Sequence, residues 1–346
     1  MLIKKNIRSL SVEELSVFLK KHGIAKFRAK QVYEWLWKKK AINFDQMTSL
    51  SIRDRELLKN YFLINALTIH KSETSNDGTI KYSLKLYDNK LVEGVLIPSK
   101  KRLTACVSSQ AGCSLSCTFC ATGTLKLERN LDYSEIYDQV YILNEEAKQN
   151  FGKPLSNIVY MGMGEPLLNY DNLIRSVNLI SSKDGLAMSP KRITVSTAGI
   201  AKMIRKLADD EVKFNLAISL HTADDKKRDE IMPINQSINI PQLEDSIKYF
   251  YEKTGTRITY EYILFDGVND SIEDAAKLSK LCRKTPSKVN LIEYNQVDSL
   301  PFKKSTNRQT DKFIKYLEEK NIVVNLRKSK GKDINAACGQ LVNKLK

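Results

Sequence analysis

The chain has 346 residues, 42% of them apolar, and a net charge of +16 from 56 basic and 40 acidic side chains. No apolar run approaches the roughly 18 residues needed to cross a bilayer, and the opening MLIKKNIRSLSVEEL lacks the apolar stretch of a secretory signal, so a cytoplasmic protein with no membrane partner is expected. The charge sits at the ends. Residues 1–60 hold 14 Lys/Arg and 6 Asp/Glu (net +8), residues 297–346 hold 12 and 5 (net +7), and residues 61–296 hold 30 and 29 (net +1). A field of this kind attracts a polyanion such as RNA, and it is equally compatible with solubility alone.

In chain order, residues 1–67 read as a small helical accessory domain, RNA-binding if its charge is used. Ser11-Val12-Glu13-Glu14 has the form of a capping box, followed by the apolar stripe Leu15, Phe18, Leu19 and a stop at Gly23. A second helix puts Phe27, Val32, Trp35 and Leu36 on one face and ends in Lys38, Lys39 and Lys40; Leu50-Ser51 introduces a third. Residues 68–100 change period. Ile80, Tyr82, Leu84 and Leu86 alternate with Thr79, Lys81, Ser83 and Lys85, the pattern of a half-buried strand. Asp88-Asn89 turns the chain, and Leu91 to Ile97 returns as the second strand of a connecting β-hairpin.

Residues 101–346 repeat a strand–helix pattern. Apolar runs begin at Leu103, Asn157, Arg192, Phe214, Arg257 and Val289, separated by amphipathic stretches at 133–149, 169–182, 199–209, 241–253 and 272–284. This α/β pattern predicts a parallel sheet, here a partial (β/α)6 barrel with its active site at the C-terminal strand ends.

The first run leads directly into Cys106-Val-Ser-Ser-Gln-Ala-Gly-Cys113-Ser-Leu-Ser-Cys117-Thr-Phe-Cys120. Iron–sulfur clusters are usually held by four thiolates. Three in one loop, spaced C-x3-C-x2-C, leave one iron of a [4Fe–4S] cluster open to the amino and carboxylate groups of S-adenosylmethionine, whose cleavage there yields a 5′-deoxyadenosyl radical. A structural zinc site is the alternative, and it needs a fourth ligand that only Cys106 offers nearby. Gly162-Met163-Gly164-Glu165-Pro166, Ser196-Thr197-Ala198-Gly199, Ser219-Leu220-His221 and Tyr294-Asn295 follow successive strands. Each alone is an ordinary strand end; together they form a plausible nucleoside-binding ring, in which the glycines admit a ligand and Glu165 accepts from an ammonium. Glu93 interrupts an apolar strand, as a site residue or an exposed strand residue does. Cys338 reads either as a small buried hydrophobe beside Ala336 and Ala337 or as part of a mobile loop between 329-SKGKD and Gly339.

These motifs closely resemble the RlmN family of bacterial radical SAM adenine-C2 methyltransferases of 23S rRNA and tRNA. The resemblance runs through the F-R-x-K-Q-V-Y-E-W helix, 92-VEGVLIP, 106-CVSSQAGCSLSCTFCATG, 161-MGMGEPLLN, 195-VSTAG, 219-SLH, 232-MPIN, 267-GVND and 335-NAACGQL; 295-NQVDSLPFKKS matches less tightly. It implies that Cys113, Cys117 and Cys120 hold the cluster, and that Gly164, Glu165, Ser196, Ser219, Leu220, His221 and Asn295 contact S-adenosylmethionine, of which two are used per turnover. It also implies that Cys338 carries the methyl group, that Cys106 resolves the product by forming a disulfide with it, and that Glu93 is the acid/base residue. An electron donor such as flavodoxin or ferredoxin, RNA partners and a monomeric state are implied as well. Two competing readings remain open: a C8-specific adenosine methyltransferase of the same superfamily, and a non-catalytic RNA-binding protein with a structural metal.

Overall fold

The first helix forms as its sequence predicts. In the computed structural model, which describes residues 4–297 and 300–342, Ser11 caps α1 (Val12–Lys21). Its hydroxyl accepts from the Glu14 N–H at 3.1 Å, and the Glu14 carboxylate accepts from the Ser11 N–H at 2.7 Å. Helices α2 (Phe27–Trp37) and α3 (Ile52–Tyr61) follow, and β1 (Lys5–Asn6) pairs with β2 (Phe62–Leu63) to tie the ends of this region together. The buried face of α2 is Ala29, Val32, Leu36 and Trp37, while Phe27, expected on that face, is 57% exposed. At about 100° per residue Phe27 falls on the opposite side from Leu36.

The helical region docks on α4 (Tyr133–Phe151) through a buried charge cluster. Arg8 donates to both oxygens of Asp138 at 2.6 and 2.5 Å, Lys40 donates to the same carboxylate at 2.7 Å, and the Arg8 guanidinium lies 4.5 Å over the Trp37 ring. Both cations hold the Asp138 carboxyl down at about 2 against the opposing effect of burial.

All six expected strands are present: β6 (Leu103–Cys106), β9 (Asn157–Tyr160), β10 (Ile193–Thr197), β11 (Asn215–Ser219), β12 (Ile258–Leu264) and β13 (Ser287–Glu293). They alternate with α4, α5 (Tyr170–Ser181), α6 (Ala201–Asp209), α7 (Asp225–Ile231), α8 (Ile240–Thr254) and α9 (Ile272–Cys282). Helix α10 (Asn307–Glu319) then leads to β14 (Val324–Arg327), a seventh parallel strand that the sequence reading missed. The mostly exposed β14 shows little apolar signal. So does β3 (Thr68–Thr74), whose residues are nearly all exposed.

The hairpin is not a separate link. β3, β4 (Ile80–Lys85) and β5 (Leu91–Pro98) run antiparallel to one another, and β5 pairs with β6. They thereby extend the parallel strands into one ten-stranded sheet, β14-β13-β12-β11-β10-β9-β6-β5-β4-β3. Strand β4 is also more buried than its alternation predicts, since Lys81 and Ser83 are nearly inaccessible. The segment 329–342 lies across that face. Lys81 Nζ donates to the Ile334 carbonyl at 2.6 Å, Ser75 and Asn76 donate to Asp333, and the Gly331 N–H donates to Asp77. No described helix is long and apolar enough to cross a membrane.

Candidate active site

The three-cysteine loop is closed at its base by β7 (Gln110–Ala111) pairing with β8 (Arg129–Asn130). Inside it, Phe119 inserts among aromatic rings, edge-on to His221 at 4.8 Å and 5.3 Å from Phe265. The Thr118 N–H donates to the Ile231 carbonyl at 3.1 Å, and the Ala121 N–H donates to the Gly339 carbonyl at 2.7 Å. Cys113, Cys117 and Cys120 are thus brought to the wall of one cleft. Gly164, Glu165, Ser196, Ser219 and His221 line the same cleft.

Among the described residues, no three His, Cys, Asp or Glu side chains converge as a single metal ion requires. A cubane asks for something else: three thiols spread around one cavity, each on its own iron. That is the arrangement of Cys113, Cys117 and Cys120, and it favours the cluster over zinc. Burial pushes all three thiols up, Cys113 to about 11. They become thiolates only with compensating positive charge, as an iron centre provides. One fixed cation is already near. Arg228, 1% exposed, favours the Cys117 thiolate electrostatically and donates to the carbonyls of Ala198 (2.6 Å) and Leu220 (3.3 Å) and to Asn235 (2.8 Å). Sequence reasoning passed over Arg228, although an arginine followed closely by the MPIN segment was visible.

Glu165 is held by the backbone. One carboxylate oxygen accepts from Ala198 N–H at 2.7 Å and the other from Leu167 N–H at 3.0 Å; burial nonetheless raises its pKa. Each oxygen keeps a lone pair for an ammonium in the cleft. The glycines beside it serve packing rather than a ligand. A Cβ on Gly162 would stand 2.7 Å from Ser108 Oγ, and one on Gly164, whose φ is +92°, would stand 2.5 Å from Gln110 Cβ. His221, also left-handed at φ +59°, accepts from Ile263 N–H at Nδ1 (3.2 Å). Burial lowers its pKa to about 3, so the ring is neutral, with its proton on Nε2. Two members of the expected ring lie outside the cleft wall. Leu220 is core, and Asn295 donates to the Cys338 carbonyl at 3.4 Å.

A second cavity of about 790 Å3 adjoins the first, and Cys338 and Gly339 line both. Cys106, at the end of β6, opens into the second only. Cys106 is buried, and burial raises its thiol to about 12, whereas Cys338 is exposed; Arg327 favours the thiolate of both. The disulfide expected between them is absent: all six cysteines are free thiols. The loop carrying Cys338, expected to be mobile, is instead fastened at several points. Glu93 lies on the same face of the sheet as Cys106 but behind this segment, lining neither cavity. It accepts from the Val342 N–H at 2.8 Å and faces Lys81 Nζ at 3.8 Å. Sequence reasoning also missed Glu261, which lines the first cavity, and Arg327, which lines the second. Of the loosely matching 295–305 segment, Asp298 and Ser299 lie outside the described residues.

Comparisons agree with this geometry. Residues 107–279 match the radical SAM superfamily, and residues 5–64 match the ribosomal RNA large subunit methyltransferase N-terminal domain. A probable dual-specificity RNA methyltransferase RlmN from Cytophaga hutchinsonii is 53% identical over 341 residues, covering 99% of this chain and 93% of that protein. The dual-specificity RNA methyltransferase RlmN of Geobacter sulfurreducens is 43% identical over 98% of this chain and 92% of its own length. The crystal structure of a radical SAM methyltransferase from Sphaerobacter thermophilus superposes with a TM-score of 0.91 at 37% identity, covering 97% of this chain and 99% of the other.

Proposed function

Because the chain belongs to the RlmN family, it is a radical SAM RNA methyltransferase whose cofactors are a [4Fe–4S] cluster and S-adenosylmethionine, and we propose that it methylates C2 of an adenosine in 23S rRNA and in tRNA through a methylated Cys338. The observation that carries this reading is the place of Cys338, on the wall between the three-cysteine cleft and the cavity of Cys106.

Each residue then has a task. Cys113, Cys117 and Cys120 hold the cluster, and Glu165, Ser196, Ser219 and His221 hold the methyl donor against it. The backbone of Gly164 completes that wall, while Leu220 and Asn295 fix the backbone around it. Cys338, as thiolate, takes the methyl group from one S-adenosylmethionine: a sulfur–carbon bond forms as the sulfonium–carbon bond breaks, and the thiol proton leaves to solvent. When bound, the cluster and a second S-adenosylmethionine supply the 5′-deoxyadenosyl radical that takes hydrogen from the S-methyl group. Joining the methylene to C2 leaves one electron, which returns to the one-electron carrier, and the C2 hydrogen, which leaves as a proton. The Cys106 thiolate then attacks the Cys338 sulfur, and the carbon whose bond to sulfur breaks takes up a proton to become methyl. A transient disulfide forms, the carbon is released to the RNA, and an external dithiol restores both thiols. Glu93 handles the proton at the base, reached when the segment in front of it shifts.

The helical region 1–67, the linking strands 68–100 and the barrel with its cysteine segment, 101–346, form three working parts, the first gripping RNA. The chain works as a monomer in the cytoplasm with a flavodoxin or ferredoxin as electron donor. The deciding experiment is mass spectrometry of nucleosides from treated RNA. 2-Methyladenosine is expected; 8-methyladenosine would assign the other regiochemistry, and no methyladenosine with cluster-loaded protein would overturn the reading.

A further inference from the structure

We propose that Arg327, with Lys328 and Lys330 beside it, binds a backbone phosphate of the RNA and so positions the target nucleotide at the second cavity. This rests on the reading above that the substrate is RNA, and it adds the place and the groups that bind it.

The two cavities differ in kind. The first is lined by Cys113, Cys117 and Cys120 with Glu165, Glu261, hydroxyls and an imidazole, a donor set for a cluster and a charged amino acid, and it shares Cys120, Met161, Ile292 and Cys338 with the second. The second alone adds Ile97, Ala336, Leu341 and Cys106 to the shared Met161, Ile292 and Cys338, and these apolar walls suit the faces of an uncharged planar base. Its mouth is cationic, with Arg327, Lys328 and Lys330 within four residues of one another. An adenine stacked in a helix cannot offer its C2 carbon to a thiol, so it must leave the stack and enter a pocket deep enough to reach one. A nucleotide entering this pocket brings one phosphate to its mouth.

The nearby charges leave room for that phosphate. Lys330 Nζ stands 3.8 Å from the Asp77 carboxylate, too far for a hydrogen bond, and Lys328 is exposed. Arg327 makes one side-chain hydrogen bond among the described residues, from Nη1 to Glu261 at 3.4 Å, and its side chain remains 42% exposed. Four of its five N–H donors take no hydrogen-bond partner among the described residues. Glu261 is itself fixed: its other oxygen accepts from Asn290 Nδ2 at 2.8 Å, and Asn325 Nδ2 donates to Asn290 at 3.2 Å. These residues share one face of β12, β13 and β14, where Glu261 opposes Asn290 and Asn290 opposes Asn325. Arg327 lies two residues beyond Asn325, so it points the same way and is held there by the carboxylate.

The test uses cluster-loaded enzyme and an unmodified tRNA substrate. Binding is measured across a series of salt concentrations, and methylation of Cys338 without RNA is followed by intact mass. For Arg327→Ala the RNA dissociation constant should rise about tenfold, and the slope of log affinity against log salt should become shallower by roughly 0.7 to 0.9, the value of one phosphate contact. The rate of Cys338 methylation should change less than this. Arg327→Lys keeps the charge and should recover the slope. Wild-type dissociation constant and slope in Arg327→Ala would overturn the proposal. So would a loss confined to Cys338 methylation, or an Arg327→Lys enzyme binding as weakly as the alanine variant. A wild-type enzyme that binds this RNA but makes no methyladenosine would instead count against the functional reading.

Discussion

The loop that carries the three cluster cysteines and the segment that carries Cys338 meet at one cleft, yet they are held in opposite ways. The loop is fixed by backbone: it is pinned at Thr118 and Ala121, and it packs so closely that a Cβ on Gly123 would stand 2.5 Å from the Cys117 carbonyl oxygen. The segment 329–342 shares the Ala121–Gly339 backbone bond with the loop and is otherwise held mainly by side chains, among them Asp77, Lys81, Glu93, Thr122 and Asp333. Backbone packing gives one position; side-chain latches open singly at modest cost. The difference suits the two jobs. In the proposed function, cluster ligands must keep still, whereas a carrier thiol must face a methyl donor, a base and a resolving thiol in turn.

The comparison breaks most completely on the loop side. Replacing Cys113, Cys117 or Cys120 with Ala should abolish both the cluster and all cleavage of S-adenosylmethionine, measured as iron content and as 5′-deoxyadenosine released anaerobically. On the segment side the effect should be selective. Cys338→Ala should keep its cluster but form no methylated cysteine and no RNA product. Cys106→Ala should start the reaction and stall as a covalent protein–RNA adduct, seen as a shifted band on a denaturing gel. A folded, cluster-loaded Cys106→Ala enzyme that turns over normally would remove the resolving role.

A graded effect follows from the Cys106 thiol, raised to about 12 by burial. At neutral pH almost none of it is thiolate, and that fraction grows about tenfold per pH unit below the pKa. Decay of the wild-type adduct should therefore quicken as pH rises from 7 to 9, and a flat profile would show that another step limits it. The smallest effect belongs to a single latch. Asp333→Asn weakens the hold on Ser75 and Asn76. Turnover should change a few-fold while cluster content stays the same.

The same contrast explains what was legible in the sequence. Cys113, Cys117 and Cys120 lie within eight residues, and local spacing alone revealed their loop. The six core strands were equally plain, because burial on both faces writes near-continuous apolar runs. The exposed edges β3 and β14 wrote no such run. Arg228, Glu261 and Arg327 act through partners distant in the chain, and a charged residue in a strand carries no mark of the face it will occupy. The glycines at 162 and 164 were visible, but not that a neighbouring turn rather than a ligand demands them. Leu220 and Asn295 entered as strand-end residues and again through resemblance, and only the fold shows that they stand behind the wall.

Strand β14 ends the ten-stranded sheet, and Val323 and Leu326 beside its open edge are 48% and 40% exposed. An uncovered edge with apolar side chains is a template on which another chain can add a strand. The basic run from Arg327 through Lys332 sits at that edge and repels a second copy, so it guards against self-association as well as lining a cavity. Variants that strip several of these charges together should aggregate at concentrations where the parent stays dispersed, and light scattering should accompany any activity measured on them.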